Sequence, residues 1–156
     1  RHSPDKRFYN VLKMDSKVLI PSEIRFSQDT ISNCFNKRKR DEHRGKLIGE
    51  TLDDLCEGRC RVEDIPIISV WKTNGKWYTA DNRRLWVFRQ LQELKKCDTI
   101  PVRVVEDIQK EKFTTGNKGK SVEVIGNPGG EWYGRLKSPY KPYRKLKSTK
   151  TSDIKT

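Results

Sequence analysis

The chain has 156 residues, 33% of them apolar and 35% charged, so one domain with a real core fits within it and a second independent core does not. Thirty-four Lys and Arg against 21 Asp and Glu leave a net charge of +13, which favours polyanionic partners through phosphate contact and counterion release. No run approaches the roughly 18 apolar residues of a membrane span, and no apolar core of a signal peptide stands at the start, so an intracellular chain is expected. The start at "RHSPDKRF" without Met is what an excised or processed chain would show.

Residues 1–10 are polar and read as a lead-in. "KVLIPSEIRF" (17–26) has the Val, Ile and Phe content of a strand followed by a Pro-Ser turn, and "SQDTISNCF" (27–35) reads as a short helix capped by Ser27 or Asp29. "NKRKRDEHRGK" (36–46) is almost wholly charged, without periodicity, and predicts an exposed loop. "IGETLDDLCEGRC" (48–60) places Ile48, Leu52, Leu55 and Cys56 on one helical face, with Thr51 or Asp53 near its start and Gly58 near its end.

"IPIISVWK" (65–72) predicts a buried strand, "TNG" (73–75) a turn, and "KWYTA" (76–80) a second strand, together a β-hairpin with Asn74-Gly75 at its tip. From Asp81 the period changes. Leu85, Phe88, Leu91 and Leu94 recur at intervals of three, and Trp86 and Val87 widen the apolar face, which predicts a helix over 82–96. "TIPVRVV" (99–105) predicts a short strand. Beyond about residue 107 the chain turns rich in Gly, Pro, Lys, Arg and Tyr; "KFTTGNKGKSVEV" could hold a small strand, and residues 107–156 carry 12 basic against 5 acidic side chains.

The four cysteines, Cys34, Cys56, Cys60 and Cys97, lack the paired short spacings of a zinc site and are expected to be reduced, partly buried thiols. His2 and His43 are isolated, and no Ser-His-Asp or Cys-His constellation is visible. Trp71, Trp77 and Trp86 fall in strand and helix contexts, where packing is the expected role.

The stretch with chemistry in it is "WYTADNRRLWVFRQL" (77–91). Asp81 is placed to cap the helix, its carboxylate accepting from a backbone N–H two or three residues later. Arg83 and Arg84 then stand in the first turn, where the helix end already carries partial positive charge; a phosphate gripped there would receive guanidinium and backbone N–H donors together. The plain alternative is that the two arginines pair with Asp53, Asp54, Glu63 or Asp64.

The run "PIISVWKTNGKWYTADNRRLWVFRQLQELKKCDTIPVRVV" (66–105), with "VLIPSEIRFS" upstream, resembles the ParB/sulfiredoxin superfamily in its order of elements and its polar box. The resemblance spans residues 11–106 and implies a compact α+β domain with a small mixed sheet packed by helices, followed by a basic extension over 107–156. In that superfamily the box binds nucleotide phosphates: Gly-Glu-Arg-Arg in ParB, Gly-Cys-His-Arg in sulfiredoxins, a His-His-Arg variant in free-serine kinases. Asp81, Asn82, Arg83 and Arg84 stand there in this chain, so the resemblance implies that Arg83 and Arg84 contact the phosphates of a nucleoside triphosphate, brought with Mg²⁺. It also puts Arg25, Ser27 and Gln28 on the other wall of that pocket. Asn82 occupies the position of the sulfiredoxin cysteine, which argues against sulfinic-acid reduction; it also replaces the ParB glutamate, and Asp81 replaces the glycine.

Two further basic features suit nucleic acid. Lys37, Arg38, Lys39 and Arg40 form a cluster of nuclear-localisation or phosphate-gripping type, which adds a nuclear location to the expectations. In the tail, Trp132, Tyr133, Tyr140 and Tyr143 interleave with Arg135, Lys137, Lys141, Arg144, Lys145 and Lys147, a mixture of stacking surfaces and cations. The leading expectation is a binding module that holds nucleic acid, DNA ahead of RNA, through an arginine phosphate site and a basic loop and tail. The alternatives are a phosphotransferase, NTPase or nuclease of the same fold using Glu23 or Asp81 as base or metal ligand, and a degenerate domain kept for protein contacts.

Overall fold

The protein is a mixed α+β molecule, seen in a computed structural model that describes residues 16–35, 45–107 and 110–136. Strands β1 (Ser16–Leu19) and β2 (Ile24–Phe26) flank a single 3-10 turn at Pro21–Glu23. β3 (Thr30–Ser32) follows, then helix α1 (Ile48–Cys56), the hairpin β4 (Ile68–Thr73) and β5 (Lys76–Thr79), helix α2 (Asn82–Glu93) and β6 (Ile100–Val104). β7 (Glu123–Ile125) and a one-turn helix α3 (Tyr133–Leu136) complete the order.

Five strands form one sheet in the order β1-β6-β4-β5-β2, and β3 pairs with β7 in a separate parallel ribbon. The large sheet is mixed: β1 runs antiparallel to β6 and β4 antiparallel to β5, while β6 with β4 and β5 with β2 are parallel. The hairpin forms as its turn signal demands. Thr73 pairs with Lys76 across Asn74 and Gly75, which both take positive φ (51° and 74°), the two left-handed residues of a type I′ turn.

Alternation along the strands sets the two faces of the sheet. Ile24, Phe26, Ile68, Val70, Ile100 and Val102 are buried on the face that α1 and α2 cover, against Ile48, Leu52, Leu85, Phe88 and Leu91. The cross-strand partners Trp71 and Tyr78 point the other way and stack at 5.6 Å, with Phe113 edge-on to both. Trp71 and Trp86 are buried packing residues, as their contexts predicted.

Two elements depart from the sequence expectations. Residues 27–35 form no helix: Thr30–Ser32 is a strand, because its backbone pairs with Glu123–Ile125, a partner about ninety positions away that no local pattern announces. Asp29 caps no helix there; its carboxylate accepts from the Gly116 N–H at 2.9 Å and the Thr115 hydroxyl at 3.1 Å. Helix α2 stops at Glu93 rather than at 96, since Lys95 turns left-handed (φ 61°) and the Lys96 N–H closes back on the Leu91 carbonyl.

Residues 110–136 lie back on the rest. The Gly119 carbonyl accepts from the Phe26 N–H, the Ser27 carbonyl from the Thr114 and Thr115 N–H groups, and the Pro128 carbonyl from the Gly49 N–H at the start of α1. Asp53 is committed here and does not cap α1: its carboxylate accepts from the N–H groups of Glu131 and Trp132 at 2.8 and 2.9 Å. Lys96 and Arg135 both lie over the Trp132 ring, and Tyr133 lies against Trp86.

Candidate functional site

The polar box sits where β5 passes into α2, and its four residues do different things. Asp81 is the N-cap residue, yet its side chain makes no capping bond. Its carboxylate instead accepts from the Ser69 N–H of β4 at 2.8 Å and from Arg84 Nη2 at 2.8 Å. Sheet and helix compete for one carboxylate, and the strand N–H and the guanidinium hold it. Arg84 is equally committed, donating through Nη1 to the carbonyls of Pro66 (2.7 Å) and Ile67 (2.9 Å). Of the carboxylates named as possible partners, none takes either arginine: Asp54 pairs with Lys46 and Arg59, and Asp64 faces Arg61.

Asn82 is 5% exposed and works as a staple between β2 and α2. Its Oδ1 accepts from the Ser27 N–H at 2.9 Å, and its Nδ2 donates to Ser27 Oγ at 3.0 Å and to the Ala80 carbonyl at 3.2 Å, with Gln28 Oε1 at 3.5 Å. Both ends of the amide are therefore used. Ser27 is fully buried with it and reaches no surface.

Arg83 differs from its neighbour. It donates from Nη1 to the Cys34 carbonyl at 2.7 Å and forms no ion pair among the described residues. It lines a cleft of about 280 Å³ with Gln28, Thr30, Ile31, Ser32, Ala80, Asn82 and Ile125. No acid stands in the first turn of α2 and no side chain caps it, so the helix end turns partial positive charge and free N–H donors toward the region of Arg83. Thr30 and Ser32 add exposed hydroxyls. This donor set suits phosphate oxygens; the lining holds no carboxylate for a metal, so any Mg²⁺ would have to arrive with the phosphates it bridges.

The sequence-named residues divide between three places. Ser27, Gln28, Asn82 and Arg83 come together at the start of α2; Asp81 and Arg84 turn toward β4. Arg25 leaves that wall and lines a second cleft beside the far half of α2, its Nη1 donating to the Lys118 carbonyl at 2.9 Å. Glu23 is exposed on the 3-10 turn that packs against that same half, away from Asp81. Arg135 stacks 3.8 Å over the Trp132 ring. Lys37, Arg38, Lys39, Arg40, Lys137, Lys141, Arg144, Lys145 and Lys147 lie outside the described residues.

Sequence reasoning passed over Thr30 and Ser32, which a helix would have turned elsewhere, and Arg89 and Lys120 of the second cleft. Arg89 carried a signal: it follows Phe88 within the apolar stripe of α2. Scans against protein-family models find no match to this chain, and a search among curated proteins finds no similar sequence.

Proposed function

We propose that the protein is a nucleic-acid-binding module of ParB-like kind, in which the cleft at the start of α2 receives a phosphate group and Arg83 grips it. One observation carries the reading: Arg83 stands in a first helical turn that holds no acidic residue and no side-chain cap, in a cleft whose lining bears hydroxyl, amide and guanidinium donors and no carboxylate. An arginine, first-turn N–H groups and hydroxyls are the donors that phosphate recognition uses. Arg84 contributes indirectly. By pairing with Asp81 it offsets the negative charge that the N-cap residue would set against an anion at this helix end.

Beside this site the Phe35 N–H donates to the Lys46 carbonyl and the Gly45 N–H to the Phe35 carbonyl, and in the sequence the basic run Lys37, Arg38, Lys39 and Arg40 begins three positions after Cys34, whose carbonyl Arg83 holds. With a net charge of +13, the expected partner is a nucleic acid, with a nucleotide phosphate as the smaller form of the same ligand. The enzymatic alternative draws on Glu23 and Asp81, and neither lines the cleft of Arg83. The test is binding of labelled duplex and single-stranded oligonucleotides across a salt series, with Arg83→Ala as the site variant; affinity indifferent to salt would refute the proposal.

A further inference from the structure

A second cleft, of about 320 Å³, opens between the Pro21–Glu23 turn, the far half of α2 and the loop that holds Lys118 and Lys120. It is lined by Ser22, Arg25, Arg89, Gln92, Glu93 and Lys120. Three of the six are cations and one is an anion. Among the described residues none of these three cations has a carboxylate within ion-pair distance.

The frame of this cleft is rigidly built. Ser22 and Gln92 bond reciprocally, the Ser22 N–H donating to Gln92 Oε1 at 2.8 Å and Gln92 Nε2 to Ser22 Oγ at 3.0 Å. Arg89 is anchored through Nη2 on the Ile24 carbonyl (2.6 Å) and Nη1 on the Lys120 carbonyl (2.9 Å), with its guanidinium 4.6 Å from the centre of the Phe26 ring. Its Nε is buried and has no hydrogen-bond partner among the described residues. Arg25 fixes the same loop at the Lys118 carbonyl. Burial holds the Arg89 guanidinium below its ordinary affinity for protons; Glu93 works against this and the charge of Arg25 adds to it. Like charges are thus brought together around a polar hollow. The carbonyl bonds of Arg25 and Arg89 hold the loop and Glu93 offsets part of the repulsion, and an anion placed between the cations relieves the rest.

We propose that this cleft is a second anion site, which takes a phosphate group between Arg25 and Lys120 over the anchored Arg89. Neither residue of the pair lines the cleft of Arg83, so the site does not depend on the one proposed above. Two sources share this chemistry, a free nucleotide and a nucleic-acid backbone.

The experiment is a titration of the full chain with inorganic phosphate, followed by the amide resonances of Gly119 and Lys120, in the wild type, Arg25→Gln, Lys120→Gln and Arg83→Ala. Saturable shifts at these amides are expected in the wild type and in Arg83→Ala, weakened about fivefold or more in the other two. Lys120→Gln leaves the backbone carbonyl that Arg89 uses, so it reads the site even if Arg25→Gln disturbs the loop. Repeating it with a nucleoside diphosphate and with a single-stranded oligonucleotide lacking terminal phosphates separates the sources, and weakening of either by Lys120→Gln supports the site. Absence of shifts in the wild type, an unchanged response in Lys120→Gln, or its loss in Arg83→Ala overturns the proposal.

Discussion

Arg84 Nη2 lies 2.8 Å from Asp81 Oδ1, three residues back at the head of α2, and the pair closes the box on itself while Arg83 forms no ion pair among the described residues. Adjacent arginines of identical chemistry are thereby given different work: one sews the helix start to the chain before β4, the other faces a cleft.

The first prediction follows from that division. Arg84→Ala removes the donors that serve the Asp81 carboxylate and the Pro66 and Ile67 carbonyls, at a side chain only 16% exposed, and a loss of about 1–3 kcal/mol of stability is expected in urea unfolding. Arg84→Lys recovers little of it, because one ammonium cannot reproduce a planar fork that reaches three acceptors. Arg83→Ala, losing one bond to Cys34, is expected to cost about 1 kcal/mol or less.

Asn82→Ala leaves the buried Ser27 N–H and hydroxyl without their partner, at an expected cost of about 1–3 kcal/mol. Asn82→Asp is the sharper variant. A carboxylate there keeps the bond from the Ser27 N–H but faces the Ala80 carbonyl, to which Nδ2 now donates, so at neutral pH it is expected to be less stable than Asn82→Ala. Protonation restores a donor, and the variant should gain stability relative to wild type as pH falls. A pH series of unfolding midpoints checks both points.

How much of this was legible in the sequence differs from element to element. The Asn74-Gly75 hairpin and the stripe of Leu85, Phe88 and Leu91 were readable because turn chemistry and helical period are local properties. β3 was not, since its strand state depends on β7 far along the chain. The box could be located but not divided: whether Asp81 caps the helix or serves β4 depends on the Ser69 N–H, which folding alone brings within 2.8 Å. For the same reason Arg25 was grouped with Arg83, although adjacent side chains along an extended strand point to opposite faces and the buried Ile24 and Phe26 flank it.

Gly49 should tolerate no side chain. A Cβ there would overlap the Gly129 carbonyl oxygen, with the Gly129 carbonyl carbon and the Pro128 carbonyl oxygen each at 2.8 Å, all backbone atoms with no flexible side chain to yield. Gly49→Ala is expected to lift the 128–132 segment from α1 or to destabilise the protein by about 2 kcal/mol or more. Asp53→Ala attacks the same seam by removing the acceptor of the Glu131 and Trp132 N–H groups. Hydrogen exchange at those two amides should quicken in both variants, with little change at Val70 in the sheet.

Two titrations add to the pH dependence of stability. Burial raises the Cys56 thiol from 9.0 to about 11, so the folded state binds this proton more tightly than the unfolded chain. Its contribution is complete below about pH 9 and is lost as pH rises from 9.0 to about 11. Cys56→Ala should flatten this part of the alkaline limb, and Cys56 in the native protein should be slow to alkylate at pH 8. At the acid end, burial raises the Asp54 carboxyl, but the hydrogen bonds from Lys46 and Arg59 together outweigh it and the net shift is downward. That stabilisation is present above pH 3.8 and is lost as pH falls below it; Asp54→Asn should remove the slope.

The central claim is that Arg83 binds phosphate while Arg84 holds the fold, and fluorescence anisotropy of a labelled oligonucleotide across a salt series tests it most directly. The wild type should lose affinity linearly in log salt. Arg83→Ala should bind about five- to twentyfold more weakly, with a slope shallower by about 0.7–0.9, the value of one phosphate contact, and with unfolding unchanged within about 1 kcal/mol. Affinity that does not respond to salt, or an Arg83→Ala protein that matches the wild type in both affinity and slope, would contradict it.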